Sequence, residues 1–243
     1  MRTFVVTPSR SGLYGLLPRQ DWQALVARSV DSWNQGLARC CSVRLSLAPA
    51  VDRRLAEQDN LNLVILRRGP WCHNERCGKA STFPLTVLGM TTTYPKDAVG
   101  AQVREADIEI NATHVHHSPG AGWVLALPGS DREVSLQAVV THEIGHLLGL
   151  RDACGDHYGR TGRIVRDACP EAQRSRVMFG PAQLLVPAAT DLRELSEIYP
   201  PESPESPRSI WYSEWFLALL LLSTLLLIGI FARVVTKPSA KHP

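Results

Sequence analysis

Two histidines and a glutamate lie together near the middle of the 243-residue chain, in the order His142-Glu143-Ile-Gly-His146. On a helix, residues four apart project from the same face, and this is the spacing that two imidazole ligands of one tetrahedral zinc ion need. Glu143 follows His142, so its carboxylate would lie beside such a metal, where it can take a proton from water. By itself the pattern leaves one alternative open, a solvated helix with two surface histidines.

The residues that follow this pair favour the metal site. Residues 136–150 are amphipathic, so the apolar side chains can pack inward while the histidines face a cleft. Gly149 stands where the helix would end, and a glycine there can adopt a positive φ and turn the chain sharply. That turn brings Asp152 back towards the histidines as a third metal ligand. His157, five residues further on, is a second candidate for the third position.

Elsewhere, apolar periodicity predicts one α+β domain. Apolar residues at spacings of three and four predict a helix over 21–35, and another begins at Ser135, a good N-cap residue. Alternating or β-branched segments predict strands over 43–47, 61–66, 87–94 and 107–111. The charged residues of the last of these strands suit the edge of a sheet. A final helix over 191–198 begins with Asp191 and Glu194 in capping-box spacing.

Four stretches resemble, in order and content, the metzincins, and within them the matrixin-like metallopeptidases. They are Ala106–Asn111, Ser135–Leu150, Val177–Met178 and Ala189–Tyr199, similar to the edge strand, active-site helix, Met-turn and final helix of that family. Asp152 lies ten residues after His142, the offset of the third ligand in the family motif H-E-x-x-H-x-x-G-x-x-H. The resemblance is tight over 135–152 and loose over the rest of 20–200.

The resemblance implies a metzincin-like zincin fold, in which a twisted mixed sheet packs on the active-site helix and on a second long helix. The cleft of such a fold would hold an extended peptide or protein substrate. The substrate would pair with the edge strand, which the resemblance places at Asp107–Asn111.

The implied activity is that of a zinc-dependent endopeptidase. His142, His146 and Asp152 would hold Zn²⁺, and Met178 would form a hydrophobic floor beneath it. Zinc-activated water would hydrolyse the peptide bond, with Glu143 as general base. Most of the family has histidine as the third ligand, and aspartate occurs in a minority similar to the snapalysins. A catalytically inactive peptide-binding module on the same fold is the alternative, although such proteins usually lack the glutamate or a ligand.

Cysteine count and net charge narrow the remaining possibilities. The six cysteines are Cys40, Cys41, Cys72, Cys77, Cys154 and Cys169. An even number is compatible with disulfides, and Cys72/Cys77 and Cys154/Cys169 could each close a short loop. Free thiols, or a metal site at Cys72/Cys77, remain open as alternatives. A formal net charge of +3 without a basic run argues against a nucleic-acid partner.

A change in composition marks the end of the peptidase domain, which we expect over residues 1–200. Residues 201–210 read as a linker of Pro, Glu and Ser. Residues 211–235 contain an eighteen-residue segment, 215–232, without a charged side chain. As a helix this segment would be about 27 Å long, close to the bilayer core of about 30 Å. The composition therefore predicts one C-terminal transmembrane helix in contact with the lipid bilayer.

The basic residues on the far side of this segment predict its orientation. Lys237 and Lys241 lie in a tail over 236–243, whereas glutamates flank the other side. By the positive-inside rule we expect a single-pass protein with a cytoplasmic tail and an extracytoplasmic peptidase domain. The first residues contain no apolar stretch of the kind that a signal peptide needs, which leaves the side of the membrane open.

Overall fold

The structure is a computed structural model. It describes residues 1–10, 17–53, 56, 58–68, 71, 83, 87–95, 103–126, 131–154, 169–180 and 184–202. Met1–Pro201 forms one compact unit and Glu202–Pro243 a second, of which only Glu202 is described.

Five strands of the first unit form a mixed sheet. They are β1 (Arg2–Pro8), β2 (Val43–Leu47), β3 (Asn62–Arg67), β4 (Gly89–Pro95) and β5 (Val103–Asn111). Their order across the sheet is β2-β1-β3-β5-β4. Neighbouring strands run parallel, except that β4 is antiparallel to β5. The predicted α+β class with a mixed sheet is confirmed, and the predicted strands agree with β2 to β5 to within a few residues.

Two helices pack on the same side of this sheet. The longer, α1 (Arg19–Cys40), contacts β1 and β2, and the shorter, α2 (Leu136–Leu147), contacts β4 and β5. Alternate residues of the strands, such as Val64 and Ile108, join the apolar faces of both helices in one buried cluster. Three more strands form a small antiparallel sheet, and two more helices follow: β6 (Val115–Ser118), β7 (Gly122–Ala126), β8 (Glu133–Ser135), α3 (Glu171–Arg174) and α4 (Ala189–Ile198).

The contact between α1 and α2 is anchored by a tryptophan. Trp33 of α1 is fully buried, and its indole N–H donates a hydrogen bond of 2.8 Å to the carbonyl of Thr141 in α2. The hydroxyl of Thr141 lies 3.1 Å from that of Ser29, also in α1. Helix α1 therefore fixes both the depth and the rotation of the helix that carries the histidine pair.

The predicted edge strand is wrong, because β5 lies between β3 and β4, and β4 is the outermost strand of the described part of the sheet. The acidic residues of β5 face away from the helices and are buried. They are stable there because each finds a donor. Glu105 accepts from the backbone N–H groups of Asp59 and Asn60. Asp107 accepts from the backbone N–H of Leu63. Glu109 accepts from the guanidinium of Arg67.

The structure also corrects the predicted membrane anchor, since no helix among the described residues is long and apolar enough to cross a membrane. With twelve residues, α2 is about 18 Å long, well short of a bilayer core of about 30 Å. With 22 residues α1 has the length, but it carries five charged side chains. The predicted segment 211–235 lies outside the described residues. The predicted single-pass membrane location is corrected by the same finding.

Two disulfides lie within the described residues. Cys154 and Cys169 are bonded across a separation of 15 residues, which is one of the two pairings that spacing suggested. Cys40 and Cys41 are bonded as neighbours at the end of α1, a pairing that the sequence did not predict. Cys72 and Cys77 lie outside the described residues.

Candidate metal centre

Helix α2 places the two histidines side by side. Its first turn is capped by Ser135, whose hydroxyl accepts from the backbone N–H of Ala138, as predicted from the residue type. His142 and His146 then lie one turn apart, with their ring centroids separated by 5.0 Å. His142 is buried and His146 is partly buried, so the pair opens to solvent at the end of the helix.

A glycine turn ends α2 and orients the second histidine. Gly149 has a φ of +98°, a conformation that residues with a Cβ rarely adopt. The N–H of Gly149 bonds to His146 O at 2.9 Å, and the N–H of Leu150 bonds to Gly145 O at 2.9 Å, the pattern of a Schellman motif. The carbonyl of Leu150, aimed back by this turn, lies 2.8 Å from Nδ1 of His146.

The same turn delivers Asp152 to the histidines. Its Oδ1 lies 3.1 Å from Nε2 of His142 and 3.4 Å from Nε2 of His146. The next residue fixes this position, because the N–H of Ala153 donates to Met178 O at 2.7 Å. Together the three side chains form the group of potential metal ligands found among the described residues, with ligand atoms within 4.8 Å of one another.

The protons of the two rings determine what this site can bind. Nδ1 of His142 lies 2.9 Å from the carbonyl of Val177, and Nδ1 of His146 makes the equivalent contact with Leu150. Carbonyl oxygens only accept hydrogen bonds, so each Nδ1 carries a proton and each neutral ring presents a lone pair at Nε2. Two lone pairs and an anionic oxygen therefore converge, an arrangement that requires a cation or added protons between them.

The distances from Asp152 to the two histidines match those between ligands of a tetrahedral metal ion. With bonds of about 2.0–2.1 Å, the ligand atoms of such an ion lie about 3.3 Å apart. The two distances from Asp152 Oδ1, 3.1 and 3.4 Å, bracket this value. Histidines that bind a metal usually donate their other ring N–H to a carboxylate or a backbone carbonyl, which fixes the orientation of the ring. The Nδ1 atoms of both histidines here make such bonds to backbone carbonyls.

Without a metal, a proton takes the place of the cation. Burial alone would lower the pKa of His146, but the hydrogen bond to Asp152 and the charges of Glu143 and Asp152 raise it to about 9. Burial likewise favours the neutral form of Asp152, yet its bonds with both histidines hold its pKa far below the usual range. The metal-free site is therefore an ion pair, in which His146 is protonated at neutral pH.

A buried aspartate of α4 holds the loop that orients His142. Asp191 is fully buried. Its carboxylate accepts from the backbone N–H groups of Val177 and Ala188, both at 2.9 Å, and from Nε of Arg176 at 2.8 Å. Because Val177 also presents its carbonyl to His142, Asp191 is linked to the site through one peptide unit.

The role predicted for Asp191 at the start of the last helix is therefore wrong. The helix begins at Ala189, two residues earlier than predicted, with Ala188 as the N-cap residue. Asp191 is the third residue of the helix, in its first turn, and its carboxylate accepts from the backbone N–H of the N-cap residue Ala188. Glu194 pairs with Arg176.

Met178 lies directly beneath α2. It is fully buried, and its Sδ occupies the space where a side chain on Gly145 would begin, 2.2 Å from the position of an added Cβ. Gly145 therefore allows the thioether to approach the helix between the two histidines.

Glu143 lies beside the three potential ligands and is buried. Its Oε2 accepts a hydrogen bond of 2.7 Å from the hydroxyl of Thr91 on β4. Its Oε1 lies against Gly89, where an added Cβ would stand only 2.5 Å away. Neither Gly89 nor Thr91 was predicted as a site residue. The available signal was a glycine inside a predicted strand, which often marks a close approach.

The structure thus brings His142, His146, Asp152 and Glu143 together, with Met178 beneath them. His157, the other candidate for the third ligand, lies outside the described residues. No protein-family model matches the chain, and no curated protein matches its sequence. The metzincin likeness therefore depends on the residues and geometry of this chain, and any activity drawn from it is a proposal.

Replacement of Asp191 by asparagine tests the link between α4 and the site. The change removes one of the two carboxylates that pair with Arg176, the other being Glu194. It also points an amide N–H donor either at the guanidinium or at the backbone N–H groups of Val177 and Ala188. We expect the free energy of unfolding, measured in urea, to fall by roughly 2–5 kcal/mol. Glu197→Gln, an exposed acid-to-amide change on the same helix, should alter it by less than about 0.5 kcal/mol. Equal effects of the two substitutions would contradict the link.

Zinc binding should release a proton from His146. A ligand imidazole needs its Nε2 lone pair, whereas the metal-free residue, with a pKa of about 9, keeps a proton there at pH 7. Calorimetric titration with zinc in buffers of different ionisation enthalpy should give a release of about one proton at pH 7. The release should decline as the pH passes 9. A heat of binding that is independent of the buffer at pH 7 would show that His146 is already neutral.

Proposed function

We propose that the protein is a zinc-dependent peptidase that holds its metal with His142, His146 and Asp152. One observation carries the proposal. Two imidazoles whose Nδ1 protons are already bonded to backbone carbonyls direct their Nε2 lone pairs at one oxygen of Asp152. Such a group binds a cation at its centre, or a proton in its place.

The donor set favours zinc as that cation. Two imidazoles and one carboxylate, with a position left for a small molecule, are typical of catalytic zinc sites. The same donors hold iron(II) in some oxygenases, so the neighbouring groups must decide between the two. Glu143 is a buried carboxylate next to the ligands and not among them, which suits a general base and favours hydrolysis.

In the proposed reaction this chain supplies both positioning and proton transfer. A zinc ion bound to the three ligands supplies a Lewis acid that polarises a carbonyl and acidifies water. Glu143 accepts a proton from the water whose oxygen attacks the peptide carbonyl carbon. It then donates that proton to the amide nitrogen as the carbon–nitrogen bond breaks. Asp152 brings a negative charge to the ligand set, which moderates the Lewis acidity relative to three neutral ligands.

The edge strand β4 is the proposed binding surface for the peptide. Among the strands that the structure describes it is the last of the sheet, and it pairs on one side with β5. Its Thr91 contacts the Glu143 carboxylate, so an extended peptide added along β4 would pass the general base. Backbone hydrogen bonds to a sheet edge are a common way to bind extended peptides. This places the substrate on β4, one strand away from the predicted position at Asp107–Asn111.

Glu143→Gln is the substitution that tests the proposed mechanism. The amide keeps the size of the side chain but cannot take up the proton, so kcat for a fluorogenic peptide library should fall by roughly 10²–10⁴-fold. Zinc content, measured by atomic emission, should remain at the wild-type value because Glu143 is not a ligand.

The exposed Glu171→Gln provides a matched control and should keep both activity and zinc. Undiminished hydrolysis by Glu143→Gln would refute the role of Glu143. A zinc-loaded wild-type protein that binds peptides and cleaves none of them would instead support the alternative, an inactive peptide-binding module.

A further inference from the structure

The carboxylate of Glu143 is held by a different element from the one that carries it. Glu143 belongs to α2, whereas the residues that contact its carboxylate, Gly89 and Thr91, belong to β4. The two are separated by more than 50 positions in the sequence. Within β4 they lie two apart, so both face the same side of the sheet.

The register of the sheet shows that this side faces the helices. Gly89 lies opposite Ile110 and Thr91 opposite Ile108. Residues directly opposite each other in an antiparallel pair project to the same face, and both isoleucines belong to the core cluster beneath α2. The edge strand therefore presents, towards Glu143, one residue without a side chain and one with a hydroxyl group.

From this arrangement we infer that Thr91 and Gly89 are positioning residues that fix the proposed general base in one orientation, an inference that rests on the proposed function. Thr91 donates its single hydroxyl proton to Oε2 of Glu143 at 2.7 Å. The backbone carbonyl of Glu143 is the other acceptor within reach, and it is farther from the hydroxyl, at 3.2 Å. Of these two acceptors, the charged carboxylate forms a stronger hydrogen bond than the neutral carbonyl.

Each of the two residues contributes a different constraint. A threonine side chain in a strand has little rotational freedom, so its hydroxyl is a fixed point for the carboxylate. Gly89 leaves the volume that Oε1 occupies, because a Cβ there would approach Oε1 to 2.5 Å and the Glu143 Cδ to 2.8 Å. A free glutamate samples several rotamers, whereas this one is held on two sides before any substrate binds.

The position of these residues also connects substrate binding with the base. If a peptide pairs with β4, the strand that receives it is the strand that orients Glu143. One strand then contacts both the peptide and the carboxylate of the base. Misplacement of a reacting group by about 1 Å can lower a rate by about 100-fold, so this coupling has a measurable consequence.

The test compares Thr91→Val, Thr91→Ser and Thr113→Val in the full-length zinc-loaded protein. Valine keeps the shape of threonine and removes the donor, so kcat should fall by roughly 10- to 100-fold while KM changes by less than about threefold. Serine keeps the donor and should restore kcat to within about threefold of wild type. Thr113 is exposed, and its substitution should leave kcat and KM unchanged. A kcat for Thr91→Val within about twofold of wild type would overturn the inference.

A second measurement does not depend on activity and so separates this inference from the proposed function. Thr91→Val should lower the urea midpoint of unfolding in the wild-type background and should lower it much less in a Glu143→Ala background. Equal shifts in both backgrounds would show that the hydroxyl does not hold the carboxylate. A protein that cleaves no peptide but shows the unequal shifts would refute the peptidase activity and leave the Thr91–Glu143 contact established.

Discussion

The site depends on the direction of two N–H bonds. Each histidine of α2 gives its Nδ1 proton to a backbone carbonyl, of Val177 or of Leu150, so each ring, when neutral, carries its lone pair on Nε2. Both lone pairs then face the carboxylate of Asp152. This convergence is unfavourable without a positive charge at its centre, and the rest of the structure supports it from several sides.

The supports come from distant parts of the chain. Trp33 sets α2 against α1, the turn at Gly149 supplies one carbonyl, and Asp191 holds the loop that supplies the other. Beneath the helix, Gly145 admits the thioether of Met178. Each contact is either buried or made by the backbone, so the ligand positions are fixed before a metal binds. A site prepared in this way loses little conformational entropy when it is filled.

The local part of this arrangement could be predicted from the sequence, since helix geometry and one glycine turn determine how residues 142–152 are arranged. The long-range part could not. Charged residues on β5 suggested an edge strand, but their partners in the 59–67 segment allow burial. Thr91 was visible only as a strand residue, because its contact with Glu143 depends on how β4 and α2 pack. Asp191 looked like a helix cap, and its bond to Val177 arises only in the folded chain.

The most direct test of this account is zinc K-edge X-ray absorption on the purified full-length protein with one equivalent of zinc. We expect two imidazole nitrogens and one or more oxygens at about 2.0–2.1 Å, and we expect Asp152→Ala to lose the ion. A zinc shell that contains sulfur, contains one imidazole or none, or is unchanged in Asp152→Ala would contradict the proposed centre.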